Sequence, residues 1–294
     1  MNILSFDIEE WALAKARGES REGFFPNLDA YLNRILDELD KCGIKATFFC
    51  IGLMAIDFPQ VVRLIQSRGH EIGCHSHSHI WMNKMSADEA QDDTHSAVDA
   101  LEQCIGEKVR SYRAPAFSIG ESNKWMFEIL AENGIECDAS IFPAKRDFGG
   151  FANFGKKEPC TIEYKGIRLK EFPICTAMVL GKEMAYSGGG YFRLFPLWYI
   201  KQQMGKVDYT MSYFHIDDLI PEYDGILSKS DYEQRFKEPG TLKRRYLRYF
   251  KSNIGKGNAL TKLNALIRSA DFINVYQAEE LINWNEAPVV VLYK

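Results

Sequence analysis

The sequence predicts an α/β fold in which parallel strands close into a barrel. Three observations carry this expectation. Short β-rich runs alternate with amphipathic helical runs over the first two thirds of the chain, their connections are short, and glycines or capping residues mark the boundaries. Residues 2–6 read as the first strand. Leu28, Tyr31, Leu32, Ile35, Leu36 and Leu39 then recur at the spacing of one helical face, and Gly43 ends that helix. Residues 45–50 form the next strand, a helix over 59–68 stops before Gly69, and 70–74 returns to strand. Ser86 and Glu89 have capping-box spacing at the head of a helix that runs to Cys104. A strand over 109–112, a helix over 124–133, Gly134 and a strand over 135–137 repeat the pattern. Later come a strand over 167–173, a helix over 197–205 and the apolar strand 209–215.

The tail reads differently. From Tyr232 onward Lys and Arg are frequent, with the run Lys243-Arg244-Arg245 followed by Arg248 and Lys251. Leu260, Leu263, Leu266 and Ile267 mark one face of a later helix, and 272–275 and 289–292 read as late strands. No Pro/Gly/Ser-rich linker or internal repeat divides the chain. A single domain over 1–294 is therefore expected, with a barrel over 1–220 and a helical extension over 221–294 packed on it.

Composition removes several classes. The 294 residues carry 36 Lys+Arg against 40 Asp+Glu, a net charge of −4, without the dense positive face that binding a nucleic-acid backbone requires. Seven scattered cysteines, an odd number with no CxxC pair, suit reduced thiols better than a disulfide framework. Met1 runs straight into strand-like sequence, so the expected location is cytoplasmic.

Four clusters fall where predicted strands end, the place where parallel α/β folds build sites. In Asp7-Ile8-Glu9-Glu10, strand alternation puts Asp7 and Glu9 on one face. Alone, such a pair is more often a cap or a surface feature. The segment His75-Ser76-His77-Ser78-His79 holds three imidazoles in five residues, a density that packing does not explain but zinc ligation does. In a helical turn His75 and His79 share a face without His77; in an extended segment all three share it. Arg113, at a strand end before Ala114-Pro115-Ala116-Phe117, is either a turn cation or the partner of a buried Asp7. His215 closes an apolar strand, where a lone histidine is more often a core residue than a catalyst.

Taken in order, Asp7-Ile8-Glu9, His75 to His79, Arg113 to Phe117 and Phe214-His215 resemble the motifs of the polysaccharide deacetylase family. This is the NodB-homology group, also called carbohydrate esterase family 4, and the resemblance spans residues 1–220. Asp138 to Pro143, Glu171-Phe172-Pro173, Gly188 to Arg193 and the helical tail are similar to its branch associated with exopolysaccharide and surface-polysaccharide synthesis. The resemblance implies a distorted (β/α)7-type barrel holding one divalent metal ion, zinc being the usual one. It makes His75 and His79 metal ligands, Asp7 the catalytic base, Arg113 the residue that orients it, and His215 the general acid. Most of the family carries Asp-Asp in the first motif, whereas residue 8 is Ile here. The third ligand is then Glu9 by strand parity, or Glu10 if the chain bends. Tyr112, Pro115, Phe117 and Trp81 are candidates for contact with substrate or oxyanion.

The implied reaction is metal-dependent hydrolysis of an N-acetyl group on an amino sugar. A cytoplasmic enzyme would meet a nucleotide- or lipid-linked precursor of a surface polysaccharide, and the basic helix near 243–251 would favour peripheral contact with the inner membrane face. Two rivals remain at this level: an allantoinase-like amidase of a small cyclic ureide, and a metal-containing sugar-binding protein without turnover.

Overall fold

The structure, a computed structural model, describes residues 1–16, 18–146, 149–221, 225–236 and 238–293. The first strand, β1 (Asn2–Ile8), is buried from Ile3 onward, which is why its sequence is nearly continuously apolar. Two helices follow, α1 (Glu10–Ala16) and α2 (Arg21–Cys42). Leu32, Ile35, Leu36 and Leu39 of α2 are buried, each worth about 1.5–3 kcal/mol as an upper bound. The helix begins seven residues before Leu28 because the Ser20 hydroxyl accepts from the amide of Gly23. It ends as expected at Gly43, at φ 67°.

After β2 (Thr47–Cys50), α3 (Gly52–Asp57) precedes α4 (Pro59–Ser67). Periodicity gave no sign of α3, whose six residues are too few to repeat. Then come β3 (Glu71–Cys74), α5 (Ala87–Ile105) with the Ser86–Glu89 capping box formed, β4 (Ser111–Tyr112), α6 (Met126–Glu132) and β5 (Cys137–Asp138). β6 (Cys160–Tyr164) and β7 (Ile167–Glu171) make an antiparallel hairpin, and β8 (Thr176–Val179) and β9 (Lys182–Ala185) a separate ribbon. The chain continues through α7 (Gly189–Leu194), α8 (Leu197–Met204) and β10 (Thr210–His215). It finishes with α9 (Lys229–Phe236), α10 (Leu242–Asn253), α11 (Lys256–Ile267), α12 (Val275–Leu281) and β11 (Val289–Leu292).

Among the described residues, nine strands share one sheet in the order β10-β1-β2-β3-β4-β5-β7-β6-β11, parallel except for the β6–β7 pair. The fold is thus the distorted α/β barrel expected. No ladder joins β10 to β7 among the described residues, because β7 turns aside to pair with β6 and Pro173 beyond it has no N–H to offer. Single contacts bridge the gap instead: the Tyr209 hydroxyl donates to Pro173 O at 2.8 Å and the Met211 amide to Cys175 Sγ at 3.3 Å.

The tail is built into this sheet. β11 pairs with β6. β2 pairs only with Ser5–Ile8 of β1, and Ile273 takes the ladder positions that β2 leaves open, accepting from Leu4 N at 3.1 Å and donating to Asn2 O at 3.0 Å. The late strand expected over 272–275 reduces to this one bridge. The reason is Asn274, whose side chain accepts from the Gln277 amide and starts α12. The first turn of α12 is held by buried Glu71, which accepts from Tyr276 N, Thr47 Oγ1 and Ser111 Oγ at 2.6–3.0 Å.

Candidate active site and metal centre

The site lies where the strands end. Alternation along β1 points Ser5 and Asp7 to one face, and Arg113, entering from beyond β4, donates Nη1 to both at 2.8 Å. Asp7 and Arg113 are both buried. The guanidinium lies 4.2 Å from the ring centroid of Phe49. Gly73 makes room for that ring, since a Cβ there would lie 2.5 Å from Phe49. The buried contact with Arg113 fixes the direction of the Asp7 carboxylate.

The histidine segment is neither helix nor strand. It bends through Ser76 at φ 64° and His79 at φ 61°, left-handed positions that side chains rarely take. The bend turns His75 and His79 to one side, with ring centroids 5.2 Å apart, and sends His77 to the other, against Gly52 and with its amide on Asp93. His75 Nδ1 donates to Arg113 O at 2.7 Å, which turns Nε2 to the site, 3.2 Å from Glu9 Oε2. His79 Nε2 lies 2.6 Å from the same oxygen without hydrogen-bond alignment.

Glu9 is therefore the carboxylate beside the imidazoles. Glu10 turns away, accepting from the amides of Glu9 and Asp217. Burial opposes charge on Glu9, but His79, His215 and His75 outweigh it and hold its carboxyl well below the usual range. Burial, with the charge of Glu9, pushes Glu10 up to about 7.

His215 stands opposite Asp7 in the β1–β10 register. Its Nε2 is 3.9 Å from Asp7 Oδ2 and 3.7 Å from Glu9 Oε2, and its Nδ1 is 2.7 Å from Asp218 Oδ2. Burial pulls its pKa down, but Glu9, Asp218 and Asp7 together raise it well above 6.5. Asp218 in turn lies 3.2 Å from Arg193 Nε. Sequence reasoning missed Asp218 and gave Arg193 no role. The signal present was an acid three residues after the strand-end histidine, in a tight turn that keeps it within reach.

The remaining candidates divide. Tyr112 and Pro115 are buried, and the Tyr112 hydroxyl points to Met82 Sδ, so neither side chain faces a substrate. Phe117 is packed against Tyr213 and Arg146. Trp81 lines a cleft of about 390 Å³ with Ser118, Glu121 and Arg146. The amides of Arg113 and Ala114 already donate to Cys74 O and Ser140 Oγ, which removes them as oxyanion donors. Beneath Arg113, Ser140 donates to Asp138, and Glu171 accepts from Ile141 N. Burial raises both carboxyls of this adjoining pair, as expected when one proton serves two acids.

Glu9, His75 and His79 offer three ligand atoms within 4.8 Å of one another. Two imidazoles and a carboxylate suit a catalytic divalent site such as zinc, whose tetrahedral ligands lie about 3.3 Å apart. The misaligned His79 Nε2 is what a nitrogen aimed at a shared cation rather than at the carboxylate looks like, so the residues fit such an ion.

Comparison with known proteins agrees with this architecture. Residues 23–137 match the polysaccharide deacetylase family and residues 139–279 a domain of unknown function, DUF3473. A peptidoglycan-N-acetylglucosamine deacetylase of Bacillus cereus is 35% identical over 104 residues, 35% of this chain and 38% of that protein. The peptidoglycan-N-acetylmuramic acid deacetylase PdaA of Bacillus subtilis is 31% identical over 87 residues, 30% of this chain and 33% of its own length. The chain thus spans between a third and two fifths of these relatives. A solved chain from Mycobacterium smegmatis, assigned to the polysaccharide deacetylases, shares the fold at TM-score 0.65 and 18% identity, covering 100% of this chain and 93% of that one. With its motifs gathered at one barrel mouth, this chain carries a polysaccharide deacetylase segment over residues 23–137.

Proposed function

We propose that the chain is a metal-dependent hydrolase that removes the N-acetyl group of an acetamido sugar. One observation carries the reading: Asp7, clamped by Arg113, faces His215 across the Glu9–His75–His79 cluster. A divalent cation bound there would supply a Lewis acid for the amide carbonyl and would acidify water. Asp7 Oδ2, the oxygen not held at 2.8 Å by Arg113, takes the proton of the attacking water. His215 then gives its Nε2 proton to the departing amine, while Asp218 holds Nδ1–H and keeps the ring charged until that moment.

The relatives' names point to N-acetylated amino sugars as the substrate class. Among these we propose a nucleotide- or lipid-linked precursor of a surface polysaccharide, handled in the cytoplasm. The thiols support a reducing compartment: all seven cysteines are unpaired, and most are buried. The test is an acetate-release screen over nucleotide-linked acetamido sugars, chitin oligomers and a cyclic ureide, each with and without chelator. Chelator-sensitive acetate from the linked sugars supports the reading. Faster release from chitin oligomers overturns the precursor assignment, and ureide ring opening overturns the deacetylase.

A further inference from the structure

We propose that α10 seats the protein on the surface of an anionic phospholipid bilayer. The helix carries five basic and no acidic side chains, and only a narrow seam of it faces the body. Arg245 and Tyr249 on that seam are half-buried, Asn253 is buried, and Arg245 donates to Leu227 O.

Arg248 and Ser252 are half-buried beside that seam, and the remaining face is exposed and divided. Leu242, Tyr246 and Phe250 recur at i, i+4 and i+8, with Leu247 beside them and Ile254 just past the helix end; Leu242 and Phe250 are each 64% exposed. Arg244 and Lys251 fall together on the adjoining arc with half-buried Arg248 next to them, and Lys243 sits within the apolar arc between Phe250 and Leu247. A row of large apolar side chains this exposed is unusual on a soluble surface unless something covers it.

Charge decides what covers it. A second copy meeting α10 face to face would bring two sets of five cations together. A nucleic acid would answer the charge and leave the apolar row in water. A bilayer surface answers both, with anionic headgroups for the cations and an apolar layer about 5–10 Å down for Leu242, Leu247 and Phe250. No described helix is long and apolar enough to cross a membrane, so the contact is peripheral.

The seat adjoins the site. Arg193 donates to the carbonyls of Lys251 and Ser252 at the end of α10, and its Nε faces Asp218, the partner of His215. A docked α10 thus holds the catalytic mouth beside the membrane, where a lipid-linked sugar would present itself. That last consequence rests on the deacetylase reading; the docking does not.

The full chain is sedimented with vesicles of phosphatidylcholine alone or mixed with phosphatidylglycerol, in about 0.1 M and about 1 M salt, where the Debye length falls from about 10 Å to about 3 Å. Expected is partition into the anionic vesicles only, released by high salt. Phe250→Asp should weaken it about tenfold, and Lys243→Glu with Lys251→Glu by at least as much, at about fivefold per charge lost. These surface variants should keep the wild-type thermal midpoint and the wild-type acetate release from a soluble substrate. A chain that stays in the supernatant, or partition indifferent to both sets of substitutions, overturns the proposal. So does a dimer in solution that Phe250→Asp dissolves, which would make a second copy the occupant.

Discussion

His215 Nδ1 lies 2.7 Å from Asp218 Oδ2, and Asp218 Oδ1 lies 3.2 Å from Arg193 Nε, so a histidine at the catalytic mouth is held by an ion pair formed outside its own strand. Asp218→Asn preserves the shape and removes the charge. We expect kcat for acetate release to fall about 100-fold with KM little changed. The alkaline limb of the pH profile should move to lower pH, because a carboxylate that helps His215 keep its proton is gone. Asp218→Glu should restore part of both. A variant with wild-type pH limits would reduce Asp218 to a packing role.

Metal binding and chemistry should separate by residue. Titration of metal-free protein with zinc should show the wild-type affinity in Asp7→Asn and a loss of tenfold or more in His79→Ala and Glu9→Gln. Zinc at about 100 times its Kd should stabilise the wild type and Asp7→Asn by about 2.7 kcal/mol in thermal melts. Acetate release should vanish in all three variants. Unchanged zinc affinity in both ligand variants would place the ion elsewhere.

The Arg113–Asp7 pair predicts a large stability effect. Arg113→Met removes the buried partner of Asp7, at a cost of about 3–5 kcal/mol read as a lower urea midpoint. Adding Asp7→Asn should recover part of that loss, since no buried charge then remains. Equal midpoints for wild type and Arg113→Met would show that the pair is not desolvated.

Asp57 predicts a pH-dependent one. Burial raises its carboxyl, but Lys15, Trp11 and Arg21 converge at 2.6–2.9 Å and bring it down from the ordinary 3.8 to about 2. A depressed folded-state pKa gives stability that is full above the unfolded value and lost as pH falls from about 4 to about 2. Asp57→Asn should therefore cost about 1–2 kcal/mol at neutral pH, discounted for the half-exposed cations, and nothing near pH 2. Denaturant melts at the two pH values decide it.

What the sequence made legible was whatever a local period encodes. Alternation in β1 put Asp7 and Glu9 on one face, and the capping box at Ser86 and the glycine after α2 marked helix ends. The exclusion of His77 from the His75–His79 pair was expected only for a helical turn; the chain reaches it through two left-handed residues, a solution that spacing does not announce. Glu9 and Glu10 differ by where their carboxylates find donors, and Glu10's donor is an amide 207 residues away. Tyr112, a candidate for contact with the oxyanion because it precedes Arg113, has its ring packed in the core. Asp218 and Arg193 act through each other, and contacts of that kind leave no mark along a single strand or helix.

Ile273 completes the edge of the first strand that β2 abandons, and so closes a backbone gap with residues from the far end of the polypeptide. The boundary between the two matched segments, at 137 and 139, is for that reason no place to cut. A fragment ending there would lack β10 and Ile273, exposing one flank of its opening strand and the start of the other, and inviting stray pairing and aggregation. Any attempt to graft one segment onto another scaffold must bring its counterpart along.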